Sequence, residues 1–229
     1  MVWELVTVMF GYAGKILEID LSSRQSWEIP TEMYARDFLG GRGIATKLYW
    51  ERVPAAISAF SPQNCIIFAT GPLCGFMRLS GSRLFVCGKS PIRRRHFFSY
   101  ANVGGSWGVW LKRTGYDALI VHGSSERPVY IFIREGEAEI RDAQHLWGKS
   151  VTEVCSIITK ELGRGNKVLT IGQAGENLVS FATLCTDDGA SGSGGLGSVM
   201  GSKKLKAIVL AGGKWRPEVA LPEKLGKLV

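Results

Sequence analysis

The stretch GGSWGVWLKRTGYDALIVHG at Gly104–Gly123 is answered later in the chain by GGLGSVMGSKKLKAIVLAG at Gly194–Gly212. Both open on a Gly-Gly pair, carry a lysine (Lys112 or Lys203) and end in an apolar run closed by glycine, and their lengths differ by one residue. Each reads as a small-residue loop, a short helix carrying a Lys and a buried strand, as expected of a duplicated half-domain. The alternative is chance likeness between two glycine-rich loops, which short motifs produce readily. If the duplication holds, two equivalent loops could approach one ligand from two sides.

Working outward, Gly14 to Leu21 alternates apolar and polar residues, and Ser22–Gln25 reads as a turn into Ser26 to Ile29, so the pair predicts a β-hairpin. Glu32 to Tyr49 has helical spacing on both sides of Gly40-Gly41-Arg42-Gly43, which predicts two helices joined at a tight turn. Cys65–Thr70, Arg83–Cys87, Ala118–His122, Val129–Arg134, Ala138–Arg141, Val168–Ile171, Leu178–Cys185 and Ala207–Leu210 read as strands. Thr152 to Leu162 puts Val154, Cys155, Ile158 and Leu162 on one helical face and stops at Gly163. Strands outnumber helices without regular alternation, so the expected class is α+β, two mixed β-sheets with short helices, rather than a doubly wound parallel sheet.

The 229 residues, 45% hydrophobic with 29 Gly, 7 Trp, 10 Phe and 6 Tyr, exclude a disordered or collagen-like chain and supply a full core without disulfides. No two of Cys65, Cys74, Cys87, Cys155 and Cys185 stand closer than nine positions, so no local C-x-x-C pair or metal-cluster spacing exists. They read as buried thiols of a cytoplasmic protein. Met1 to Phe10 is apolar but carries Glu4 and lacks a basic leader, reading as neither signal peptide nor membrane span. Lys214 to Val229, with Pro217 and Pro222, resembles the start of a linker or an amphipathic helix. The formal net charge of +8 favours an anionic partner: nucleic acid, acidic protein or a phosphate-bearing cofactor.

Gly192–Gly197 fits G-x-G-x-x-G, but the candidate ribose acid, Glu218, lies between two prolines, and Gly201-Ser202-Lys203 does not complete a phosphate loop. The loop can still offer backbone N–H groups to an anion, with Lys203, Lys204 and Lys206 adding positive potential; otherwise these are solvated lysines on a tight loop. Arg93–Phe98 mixes cations and aromatics as nucleic-acid readers do, yet a lone patch reads better as a solvated loop, and no known nucleic-acid-binding motif accompanies it. His96, His122 and His145 form no metal or catalytic spacing, and His122, at a strand end, reads as structural. Asp187-Asp188 could hold a cation or move a proton, although such pairs more commonly form turns.

Several segments in order carry a resemblance: GYAGKILEIDL from Gly11, FLGGRGIATKL from Phe38, FSPQNCIIFATGPLCG from Phe60, SGSRLFVCGKSP from Ser80, ANVGG from Ala101, GYDALIVHG from Gly115, EIRDAQHLWGK from Glu139, IGQAGENLV from Ile171 and GGLGSVMGSKKLKAI from Gly194. From about Gly11 to Gly213 the chain resembles the N-terminal domain of the aldehyde:ferredoxin oxidoreductase family, enzymes of a tungsten- or molybdenum-bound bis-pterin. The resemblance implies a two-sheet base across 1–213 that cradles this cofactor, with 214–229 leading toward helical domains.

It further implies that Arg83 contacts the cofactor, that the loop of Asn102, Gly104 and Gly105 touches a pterin, and that backbone oxygens of Asn102 and Ala190 ligate a bridging magnesium. No catalytic side chain is carried over. Gly189 and Ser193 stand where the family commonly has Arg, and Arg93–Phe98 is about two residues longer than the usual form. The family's [4Fe-4S] ligands and its D-x-x-G-L-C/D motifs belong to later domains or, here, to a separate chain. The implied function is the cofactor-binding portion of an enzyme oxidising aldehydes to acids with ferredoxin as acceptor, not redox-active alone. The alternatives are a standalone basic module for a pterin, nucleotide or RNA, and a decayed fragment; a membrane partner is not expected.

Overall fold

The computed structural model describes residues 9–76, 79–213 and 215–228, so most of the Met1–Phe10 segment lies outside the described residues. Alternation along Lys15–Asp20 puts Leu17 and Ile19 on one face and Ile16 on the other, all buried, so this strand has a core on each side. It is β1, and it forms the expected hairpin with β2 (Gln25–Pro30). The first sheet is completed by β3 (Ile66–Ala69), β4 (Leu84–Ser90), β5 (Phe97–Val103) and β6 (Ala118–His122), in the order β2-β1-β6-β3-β4-β5. The second contains β7 (Val129–Arg134), β8 (Glu137–Asp142), β9 (Asn166–Ile171), β10 (Leu184–Thr186), β11 (Ser191–Gly192) and β12 (Leu205–Ala211), in the order β8-β7-β12-β9-β10-β11.

Strand for strand the two orders coincide. In each sheet a hairpin strand runs parallel to the last-made strand, β1 with β6 and β7 with β12, and every other pairing is antiparallel. Two glycine loops could match by chance; twelve strands in matched order and orientation do not, so the duplication is a property of the whole fold.

The sheets face each other across one core, in which Phe68, Val86 and Leu119 of the first meet Ile131, Leu169 and Ile208 of the second. Helices α1 (Glu32–Phe38) and α2 (Arg42–Arg52), separated as expected at Gly40-Gly41, are on the outer face of the first sheet. Trp107 and Leu111 of α3 (Trp107–Arg113) enter the central core. After a single 3₁₀ turn (Gln144–Leu146), α4 (Val151–Leu162) covers the outer face of the second sheet, its start fixed by a reciprocal Ser150–Glu153 capping box. A short α5 (Gln173–Glu176) precedes α6 (Leu196–Ser202), the duplicate of α3, with Leu196, Val199 and Met200 in the central core. The tail crosses back, Glu218 accepting the Gly11 N–H at 2.9 Å, before α7 (Pro222–Leu228).

Two expectations need correction. Only Leu184–Thr186 of the expected strand Leu178–Cys185 is a strand; Leu178 adopts φ 56°, and the Ala182 carbonyl accepts the Gly197 N–H at 3.0 Å. The apolar run looked strand-like, but its backbone serves the first turn of α6 instead of a ladder. Nor are the lysines of the second loop solvated as a group: Lys203 and Lys206 are buried, and only Lys204 stays exposed. Lys206 is paired with Glu176 and donates to Ile171 O at 2.8 Å. Among the described residues no helix is long and apolar enough to cross a membrane.

Lys203 has no carboxylate partner among the described residues and donates to the carbonyls of Gly123 (3.0 Å) and Pro62 (3.3 Å). Burial pushes its ammonium down to about 8. With the folded value below the unfolded one, the unfolded chain binds more protons between those values, so stability rises as pH climbs from about 8 to 10.5, by about 3 kcal/mol. Urea melts at several pH values, compared with Lys203→Met, isolate this rise; parallel pH curves for the two proteins would exclude it.

Candidate functional site

Where β5 ends and α3 begins, the chain runs through Asn102, Val103, Gly104, Gly105 and Ser106. Register sets Asn102 opposite Phe85 of β4, and Arg83 stands immediately ahead of that strand. Asn102 and Arg83 are both exposed. Tyr100, two residues before Asn102 and so on the same face, stacks on Phe85 with ring centroids 5.3 Å apart. Over this aromatic pair lies the Arg42 guanidinium, 4.6 Å from the Tyr100 centroid and 5.5 Å from that of Phe85. The α1–α2 link holds Arg42 there because the Gly41 N–H donates to Thr70 O, at the end of β3, at 2.9 Å. Among the described residues neither Arg42 nor Arg83 pairs with a carboxylate. The face thus carries two uncompensated guanidiniums beside an exposed amide, a donor set suited to phosphate and other oxyanions.

The second half closes on this loop through the β10–β11 turn. Asp188 accepts the Ser106 N–H at 2.8 Å and the Ser106 hydroxyl at 2.9 Å, and it also accepts the Thr186 hydroxyl. Gly105, at φ 73°, leaves the space the Asp188 carboxylate occupies; a Cβ there would overlap both oxygens. Gly104 comes against Ala190, with 3.8 Å between the Ala190 methyl and the position a Cβ would take. Partial burial pushes the Asp188 carboxyl up, but the bonds from Thr186 and Ser106 outweigh it and hold the group below the usual carboxylate range.

This clamp bears on the Ala190 carbonyl oxygen. It accepts the Thr186 N–H at 2.8 Å, and the Thr186 hydroxyl is 3.1 Å away. A hydroxyl has one proton to share, so Thr186 is divided between the ionised Asp188 and Ala190 O, and its backbone and side chain together fix where the Ala190 carbonyl sits. Trp107, the first residue of α3, has a buried indole N–H with no partner among the described residues.

The structure therefore brings together Asn102, Gly104, Gly105 and Ala190, and sets Arg83 at the start of the strand paired with β5. Arg42 and Tyr100 are not singled out by sequence, and Asp188, read there as a cation-binding, proton-moving or turn residue, is not linked to Ser106; the visible signal for Arg42 is its place in a glycine turn. Asp187 is a turn and pairing residue, 3.0 Å from Lys167 Nζ. His122 is structural as expected, beside Glu18, which Arg52 also holds. Among the described residues no group of three His, Cys, Asp or Glu could hold a metal. Burial pushes the thiols of Cys65, Cys74 and Cys155 up to about 11, leaving them protonated at neutral pH.

A family model described as the N-terminal domain of aldehyde ferredoxin oxidoreductase matches residues 16–212. The tungsten-containing aldehyde ferredoxin oxidoreductase of Pyrococcus furiosus is 44% identical over 215 residues, taking in 91% of this chain and 35% of its own length. That of Pyrococcus horikoshii is 45% identical, over 93% of this chain and 35% of its own length. A chain of the active-site complex BamBC of benzoyl-coenzyme A reductase, solved with 1,5-dienoyl-CoA, aligns with a TM-score of 0.91 and 39% identity, over 96% of this chain and 34% of that one. The chain thus spans about a third of the length of the relatives it matches. The match covers both sheets and both glycine loops, and the chain belongs to the aldehyde ferredoxin oxidoreductase family.

Proposed function

We propose that this chain is the cofactor-holding portion of a tungsten-pterin oxidoreductase that oxidises aldehydes to carboxylic acids and passes the electrons to ferredoxin. The observation that carries the reading is the junction of the two halves: a loop and a turn locked by Asp188, which sets Ala190 against Gly104, and on the adjoining face two guanidiniums without a carboxylate partner among the described residues. This donor set fits a metal-bridged, phosphate-bearing pterin. Arg83 would hold phosphate or pterin oxygens, with Arg42 adding charge where Gly189 and Ser193 supply none. The backbone oxygens of Asn102 and Ala190 would hold magnesium, a hard cation suited to such ligands. The bound metal-pterin would supply two-electron redox chemistry, while the chain's own part is to bind, orient and neutralise.

A [4Fe-4S] cluster does not fit the described residues, whose dispersed thiols offer no ligand set. Its place in this proposal is further polypeptide, consistent with relatives about three times as long as the match. Choice of substrate falls to that polypeptide too, since one neighbour of this fold is a benzoyl-CoA reductase.

The test is the tungsten, molybdenum and magnesium content, by mass spectrometry, of the protein purified without oxygen from its host with any partner chain. Tungsten together with magnesium is expected, and the paired change Arg42→Ala, Arg83→Ala should lower both by about tenfold. Metal content indifferent to these arginines would remove them from the site. Absence of tungsten and molybdenum, with salt-sensitive retention on nucleic acid, would replace this reading by a binding module.

A further inference from the structure

The duplication that builds the Asp188 junction also builds a second junction at the other end of β5. There the roles of the halves are exchanged. Gly194-Gly195, the counterpart of Gly104-Gly105, nests against the β4–β5 turn, which is the counterpart of the turn carrying Asp188. Gly195, at φ 72°, sits where a Cβ would meet Ser90 Oγ at 2.8 Å and Pro91 Cδ at 3.3 Å, as well as the Ser180 carbonyl. Ser90 donates its hydroxyl to Gly194 O at 2.5 Å. Strand β5 is seven residues long, so the two junctions are roughly 20 Å apart.

The chemistry of the two corners is opposite. Where the first turn has Asp188, the second has Arg93, Arg94 and Arg95, all exposed and, among the described residues, with no carboxylate partner. The turn is anchored: His96 accepts the Ala59 N–H at Nδ1 (2.9 Å) and lies edge-on to Phe60, while the Arg93 guanidinium is 5.4 Å from the Phe97 centroid. Apolar side chains stand exposed around these cations. Ile92 and Phe97 flank them in sequence, and Phe181, 69% exposed, follows the Ser180 that touches Gly195.

We propose that this corner, Ile92–Phe97 with Phe181, docks an acidic face of a protein partner. Three exposed arginines on an anchored turn call for carboxylates, and exposed Phe and Ile amid Arg make the aromatic-and-arginine composition of protein interfaces. A nucleic acid is the lesser fit, because its footprint is a track of cations along a face, whereas here three arginines stand together in one turn with exposed apolar residues beside them. The inference does not depend on the cofactor reading.

The experiment uses the whole protein and a fluorescent peptide alternating Glu with Leu, followed by anisotropy over a salt series, with an oligothymidylate of equal charge as comparison. Peptide binding is expected to weaken about tenfold in the combined Arg93→Gln, Arg94→Gln, Arg95→Gln variant and several-fold in Phe181→Ser. Metal content and melting temperature should stay unchanged in both variants. Equal or tighter binding of the oligothymidylate, insensitive to Phe181→Ser, would overturn the proposal in favour of nucleic acid. Absence of peptide binding would also overturn it. So would protection of Arg93–Arg95 from phenylglyoxal in the partner-free whole protein, since the corner would then be covered by the protein's own polypeptide.

Discussion

Asp117→Ala is expected to destabilise the fold by about 3–5 kcal/mol, the range for removing one member of a buried ion pair. Asp117 is 2% exposed, and the fully buried Lys112 lies 3.0 Å from it. The same carboxylate accepts the N–H groups of Ala13 (3.0 Å) and Gly14 (2.8 Å) and the Thr31 hydroxyl (2.8 Å). One side chain therefore fixes the entry to β1, the start of α1 and the end of α3. Its loss strands a buried ammonium and three donors together, and for a chain of this size calorimetry should show the melting temperature falling by roughly 10 °C. Adding Lys112→Met should recover part of that loss, because the abandoned charge is then gone. A fall of only a degree or two in the single variant would show that water reaches Lys112 and that the pair is not the hub described.

The second large effect is at Gly105. Gly105→Val forces a β-branched residue into left-handed backbone and drives its Cβ into the Asp188 carboxylate, for a combined cost of about 3 kcal/mol. The Ser106 bonds must break, Ala190 moves off Gly104, and the metal content of the whole protein should fall well before its fold is lost. Asp188→Gly in the same chain removes the clash; partial recovery of stability without recovery of metal would separate the steric role of Gly105 from the clamping role of Asp188. Metal content unchanged in Gly105→Val would sink the clamp.

The clamp is also acid-sensitive. The Asp188 carboxyl is held below its unfolded value, so its contribution is present above about pH 4 and is lost as pH falls through the lowered folded value.

The elements were legible in part because their signals are local. The Lys15–Pro30 hairpin, the break at Gly40-Gly41 and the run Ala118–His122 each announce themselves within a few residues, and the repeated Gly-Gly loops exposed the duplication. What escaped were features made by residues far apart in sequence. The bond between Asp188 and Ser106 joins the two halves, and nothing around either residue marks the other. Lys203 and Lys206 sit in a segment that reads as a basic loop, yet the apolar face of α6 points inward and draws both into the core, where carbonyls and Glu176 receive them. The run after Leu178 failed for a related reason: apolar character shows that a segment is covered but not whether its carbonyls serve a strand or a helix end.

The order in which strands join each sheet bears on synthesis. In both sheets the last strand made is not an edge: β6 enters between β1 and β3, and β12 between β7 and β9. A nascent chain that has emerged through His122 holds every strand of its first sheet before the second begins. The second cannot seal until Leu205–Ala211 has left the ribosome, and until then β7 and β9 present unpaired facing edges on one open seam. Translation that stalled before Leu205 would leave a polypeptide with its first sheet complete and that seam open to any passing strand.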